Sequence, residues 1–112
     1  MGEPVQTVAR HDADRYVQIR RYSAPPDEVD EFLRRVQQGF VPIVSALPGF
    51  IGYYAIDLGH GAMEFANIFA TREEAAASLD VAAAWVSANL DDLHTFRTEV
   101  LDGRIRFSVE RA

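Results

Sequence analysis

The sequence predicts an α+β fold with element order β-α-β-β-α-β, an antiparallel sheet with two helices on one face. Three observations point there. Two segments with helical apolar periodicity, one leading up to Leu47 and one following Thr71, are interleaved with β-like runs. A Gly59-His60-Gly61 turn joins two neighbouring β-like runs, as a hairpin requires. The chain has 112 residues, 48% of them hydrophobic, which fits one compact domain and leaves apolar surface to spare.

Residues 1–14 are polar, contain Pro4 and lack a period, so they are expected as a flexible N-terminal arm ahead of a single domain over 15–112. "RYVQIRRY", Arg15 to Tyr22, mixes β-branched and aromatic residues and reads as the first strand. Ser23, Pro25 and Pro26 close it, and Pro26 suits the first turn of a helix. Asp27, Glu28, Asp30 and Glu31 then place negative charge at the positive end of the helix dipole. Val29, Phe32, Leu33, Val36, Phe40, Ile43, Val44 and Leu47 keep the helical period, while Gly39 and Pro42 predict a kink near 38–42 or a split into two pieces. Pro48-Gly49 stops this helix, with Gly49 as C-cap.

"FIGYYAIDL", Phe50 to Leu58, and "AMEFANIFA", Ala62 to Ala70, are the hairpin strands. Thr71 to Glu74 fits a capping box, the Thr hydroxyl taking one backbone N–H and the Glu reaching back for another. The helix that follows runs to about Leu93, with Ala76, Leu79, Ala83, Val86, Leu90 and Leu93 as its apolar stripe. In "TEVLDGRIRFSVE", Asp102-Gly103 separates two β-like runs. This is the ferredoxin-like arrangement.

An antiparallel sheet covered on one side should show water a polar face. Here both faces of the hairpin look buriable: Phe50, Tyr54, Ile56 and Leu58 against Ile51, Tyr53 and Ala55, then Met63, Phe65, Asn67 and Phe69 against Ala62, Ala66, Ile68 and Ala70. Either the strand boundaries shift by a residue, or the open face packs on a second copy; the homodimer is favoured, because a large exposed apolar face is a solubility liability. A net charge of −6 argues against nucleic acid as partner. All eleven cations are arginine, and with so many alanines this suggests a GC-rich bacterial genome. Without cysteine there is no disulfide, thiolate metal site or Cys nucleophile. No signal-peptide pattern or apolar run of membrane-spanning length is visible, so a cytoplasmic location and no membrane partner are expected.

Beside the apolar stripe of the second helix lies the row Ser78, Ala82, Trp85 and Asn89. Small alanines leave room, an indole stacks on a flat ligand, and Ser and Asn orient it, so the row can line a pocket between helix and sheet. A half-buried flank with Trp85 simply packed is the plainer reading. Asn67 stands among aromatics in a strand it does not favour, either as a buried working amide or at an edge. Of Tyr53 and Tyr54, only one can face the helices. The ligand-binding candidates are therefore Tyr54, Phe65, Asn67, Phe69, Ser78, Trp85 and Asn89, with no catalytic residue assigned. His60 at a turn tip is expected to be exposed, and His94 to complement the end of the helix dipole. His11, Asp12 and Asp14 carry metal-capable donors but nothing completes a ligand set, so no metal is expected. Arg20 and Arg21 point to opposite faces; either an ordinary salt bridge or an anionic ligand can engage one of them, the former being the plainer reading.

The order helix, "LPGFIGYYAID", hairpin, "NIFATREEAAASLDVAAAWV" resembles the antibiotic biosynthesis monooxygenase-like superfamily of dimeric α/β-barrel proteins, over roughly residues 15–110. Its carriers are the Pro-Gly-Phe before the second strand, Phe69 ending the third, and the Thr-Arg-Glu-Glu-Ala helix start. The resemblance implies a β-sheet dimer and, in some members, oxygenation of flat aromatic or polyketide-like substrates without metal, flavin or other cofactor. Haem-degrading members differ: residues 15–22 hold no Asn, Ser78 stands where those members have Trp, and Ala88 where they have His. The expected function is thus a cofactor-independent monooxygenase-like enzyme, with a non-catalytic ligand-binding or interaction module on the same dimeric scaffold as the alternative.

Overall fold

A computed structural model describes residues 7–10 and 15–111. The strands are β1 (Thr7–Arg10), β2 (Arg15–Ser23), β3 (Phe50–Gly59), β4 (Ala62–Phe69), β5 (Phe96–Ile105) and β6 (Ser108–Arg111). The helices are α1 (Val29–Arg35), α2 (Val41–Val44) and α3 (Arg72–Asn89). Four strands form one antiparallel sheet in the order β3-β4-β2-β5, and the order of elements in it is the ferredoxin-like one. The segment expected as an arm contains β1, which pairs antiparallel with β6 in a separate two-stranded ribbon. Residues 1–6 and 11–14, with the donors His11, Asp12 and Asp14, lie outside the described residues.

The interruption at Gly39 and Pro42 takes the form of a π turn, and the helical run does not break there. A 3-10 turn (Pro26–Glu28) leads into α1, and the chain passes through a π turn (Val36–Phe40) into α2. Pro42 has no N–H to give and crowds the carbonyl four residues back. The ladder accommodates this by widening, and the Val41 N–H reaches Val36 O, five residues earlier. Val29, Phe32, Val36, Phe40 and Val44 stay buried on one side throughout, as their spacing predicts. Gly49, at φ 79°, takes the left-handed conformation expected of the cap.

Four sequence expectations are corrected. Asp102-Gly103 does not separate two runs: β5 continues through it, Asp102 opposite Gln18 and Gly103 opposite Val17, because pairing with β2 outweighs turn propensity. Helix α3 ends at Asn89 rather than near Leu93. Asp91 and Asp92 oppose the negative end of its dipole, and Arg35 donates to the Asn89 carbonyl and grips Asp92 at 2.7 Å. Its buried face is also displaced from the predicted stripe: Ala75, Ser78, Ala82 and Leu90 are buried, whereas Ala76 and Ala83 are exposed. At its start, Thr71 Oγ1 accepts from the Glu74 N–H at 3.2 Å, but the Glu74 carboxylate accepts from the Thr71 hydroxyl instead of from backbone.

The helices cover the sheet face that carries Tyr22, Met63, Phe65 and Phe69. A bulge between Phe50 and Gly52 moves Phe50 to this face, its ring 5.8 Å from that of Phe69, and leaves Tyr54 and Ile56 on the other. That other face carries Val17, Ile19, Ala66, Ile68 and Leu101 across three strands, with Arg21 bridging Glu64 and Glu99 at one end. Tyr54 is 54% exposed, Leu58 50% and Leu101 43%. Among the described residues, no helix is long and apolar enough to cross a membrane.

Candidate functional site

Beneath the helices, β2 presents Gln18, Arg20 and Tyr22 to the covered face, and β4 presents Phe65, Asn67 and Phe69 beside them. Three side chains there form a polar string. Arg20 Nη2 donates to Asn67 Oδ1 at 3.1 Å, Asn67 Nδ2 donates to Ser78 Oγ at 3.1 Å, and the Ser78 hydroxyl donates to Ala75 O at 2.6 Å. All three are buried, Arg20 at 2% exposure and the other two at zero. Asn67 is thus the buried amide, and Ser78 lies on the core face of α3 because Ala75 and Ala82 flank it and let the helix approach the strand.

Arg20 is a buried cation with no carboxylate partner among the described residues. Among the described residues its polar partners are Asn67 and the Tyr53 phenol, its Nε finds no acceptor, and the rings of Phe40 and Phe65 lie 5.8 and 5.9 Å from its guanidinium carbon. Rings lend a desolvated cation some stabilisation, but an unpaired buried charge still costs several kcal/mol, roughly 3–5 when a partner is lacking. The neighbouring Tyr53 phenol is pushed up to about 12, mainly by burial, with the Arg20 charge pulling against that rise. Arg21, one residue on, makes the ordinary surface ion pairs instead.

Rings close over the guanidinium. Tyr53, Phe65, Phe40 and Trp85 stack or tilt against one another, Phe40 and Trp85 at 5.5 Å and Tyr53 and Phe65 at 6.2 Å. The space left among them is ≈10 Å³, at the limit of what one water molecule needs. Trp85 rests on the π turn: a Cβ on Gly39 would come within 2.7 Å of its ring. On the other side of Asn67 and Ser78, between α3 and strands β2 and β5, opens a cleft of ≈450 Å³. Gln18 and Ala75 line this cleft, while Arg20 and Ala82 line the aromatic cluster.

Of the residues singled out in the sequence, the structure brings together Phe65, Asn67, Phe69, Ser78 and Trp85 in the helix–sheet layer. It separates two others. Tyr54 lies on the open face, and its place near Arg20 is taken by Tyr53; the bulge near Ile51 fixes that choice. Asn89 is exposed at the end of α3, where its amide donates to the Trp85 carbonyl at 2.9 Å. Sequence reasoning missed Gln18 and Phe40 as site residues and left open which of Arg20 and Arg21 faces the helices. The available signal was that Gln18 and Arg20 share the parity of Tyr16 and Tyr22, but Val17 and Ile19 offer the opposite face an equally apolar pattern. His60 is exposed at the hairpin tip, in the left-handed region at φ 55°. His94 does not cap α3. Its backbone N–H donates to Glu28 at 2.8 Å and its ring Nδ1 lies 2.7 Å from the same carboxylate, which raises the His94 pKa. No cluster of metal-capable side chains occurs among the described residues.

Fold and site together define a ferredoxin-like α+β protein with a buried polar string and a ligand-sized cleft in its helix–sheet layer. Solved structures share this fold. SnoaB, a cofactor-independent oxygenase from Streptomyces nogalater, superposes with a TM-score of 0.62 at 14% identity, over 84% of this chain and 95% of its own. A putative antibiotic biosynthesis monooxygenase from Chloroflexus aurantiacus gives 0.60 at 17% identity, over 81% and 92%. A dimeric ferredoxin-like protein from an uncultured marine organism gives 0.66 at 10% identity, over 81% and 94%. No protein-family model and no curated protein matches the chain. These likenesses, all at 17% identity or less, show a shared ferredoxin-like α+β fold.

Proposed function

We propose that the protein is a homodimeric, cofactor-independent monooxygenase-like enzyme that acts on a flat aromatic or polyketide-like compound in the helix–sheet layer. The observation that carries this reading is Arg20: a buried guanidinium with an orphaned Nε and no carboxylate among the described residues. A core built only for stability is served as well by an apolar side chain. A fixed cation is useful when a negative charge arrives, and an acidic phenol or enol supplies one by ionising. The second hydrogen of the Asn67 amide then offers a hydrogen bond, and Phe65, Phe40 and Trp85 offer flat surfaces for the ring system.

The chemistry needs little more. For an anthrone-type substrate, loss of a ring-CH₂ proton gives an anion that passes one electron to O₂. The resulting radical and superoxide combine into a peroxide, and loss of water leaves a carbonyl, so one oxygen atom enters the product and the other becomes water. Arg20 favours the anion, and the dry aromatic surroundings strengthen that effect. Because the substrate is the reductant, no metal or flavin enters the scheme. Entry requires the Trp85 indole to leave its place against Gly39, and the π turn beneath it is the irregular part of the helix. The open sheet face, with Tyr54, Ile56, Leu58 and Leu101 exposed, packs against a second copy in this reading.

The test is oxygen uptake by metal-free protein against a panel of anthrones and quinols. Wild-type protein should consume oxygen with at least one of them, and Asn67→Ala and Trp85→Ala should lose most of the rate. Tight binding without any uptake would select a non-catalytic binding module instead.

A further inference from the structure

The open cleft on the far side of the polar string has a chemistry of its own. Its walls are Tyr16 and Gln18 of β2, Ala75, Ala76 and Leu79 of α3, and Val100 of β5, which is 39% exposed although it points to the helix side of the sheet. Helix α3 lies over β2 and β4, so the helix side of the edge strand β5 is left uncovered. At ≈450 Å³ the cleft is in the size range of small-molecule sites.

Its charged groups are Arg72, Arg104 and Asp102. Among the described residues neither arginine lies within ion-pairing distance of a carboxylate, although the chain carries a net charge of −6. Elsewhere Arg21, Arg34 and Arg35 all have carboxylate partners. The cleft is thus a local excess of positive charge on an acidic molecule. Gln18, 4% exposed, lines the same cleft, and its Oε1 has no hydrogen-bond donor. A buried acceptor without a donor is costly, and a ligand hydroxyl is a donor of the right kind.

We infer that this cleft is a binding site for a small hydroxyaryl carboxylate, its carboxylate between Arg72 and Arg104, its ring along Leu79, Ala76 and Val100, and its hydroxyl donating to Gln18 Oε1. The site uses different side chains from Arg20 and Asn67, so it stands or falls apart from the oxygenase reading. The arginines supply steering and orientation more than affinity, since both are solvent-exposed.

The experiment is calorimetric titration of the full chain with 6-hydroxy-2-naphthoate, 2-naphthoate and 2-naphthamide. The hydroxy acid should bind tightest and the amide weakest, with acid and amide about tenfold apart at low salt and the gap closing as salt is raised. Arg72→Gln/Arg104→Gln should bring 2-naphthoate down to the level of the amide without changing amide binding. Gln18→Leu should remove only the gain due to the hydroxyl. Equal binding of acid and amide, an unchanged acid affinity in the double variant, or no binding of the acids at all would each overturn the site, while leaving oxygen uptake by wild-type protein untouched.

Discussion

The two faces of the sheet invert the usual distribution of polar and apolar groups. Beneath the helices, where apolar side chains belong, the centre of the face carries Gln18, Arg20 and Asn67, all nearly inaccessible. On the open side, where water should meet polar groups, Tyr54, Ile56, Leu58 and Leu101 are exposed. Folding of a single chain explains neither placement, since burial of unpaired polar atoms and exposure of apolar ones both disfavour it. In the function proposed above, the covered face takes a small molecule and the open face takes a second copy of the chain.

The largest expected effect lies on the open face. Ile56→Asp places a charge in the middle of the proposed dimer contact and should weaken association by about 3 kcal/mol, roughly a hundredfold. Sedimentation equilibrium should show the variant as single chains where wild type is paired, and an unpaired wild type would remove the dimer from the comparison. On the covered face, Asn67→Ala takes the amide acceptor from the Arg20 guanidinium and the donor from the Ser78 oxygen, whose hydroxyl keeps its bond to Ala75 O. It should cost about 3 kcal/mol in urea denaturation. Gly39→Ala pushes a methyl group into the Trp85 ring and should cost about 2 kcal/mol, with a shift in tryptophan fluorescence.

The smallest effect is spectroscopic. Burial raises the Tyr53 pKa to about 12, so the folded state holds this proton more tightly than the unfolded chain, where a tyrosine ionises near 10. The associated stability is complete below pH 10 and is lost as pH rises towards 12. Tyr53 should ionise late in an absorbance titration, and Tyr53→Phe should abolish that step.

The fold was legible because its signals were local and redundant. Thr71 announced α3, Gly49 ended the first helical run, and Gly59 to Gly61 turned the hairpin. Asn67, Ser78 and Trp85 were also legible, because an amide in a strand and a small polar row on an alanine-rich helix are each unusual. Arg20 was not, because strand parity alone cannot select the covered face when Val17 and Ile19 compete with Tyr16 and Tyr22. Tyr53 was exchanged for Tyr54 by a one-residue bulge, which no periodicity reveals. The buried face of α3 was misplaced by about one residue, since alanine counts as apolar in any period yet gains little from burial.

The central claim is that the Arg20–Asn67–Ser78 string is kept for a ligand rather than for stability. Its most direct test is calorimetric binding of an anthrone-type compound to wild-type protein and to Arg20→Met/Asn67→Leu, which replaces charge and amide by apolar groups of similar size. The variant should fold at least as stably as wild type, by up to about 2 kcal/mol, and bind the compound at least tenfold more weakly. Unchanged binding in a well-folded variant would contradict the claim.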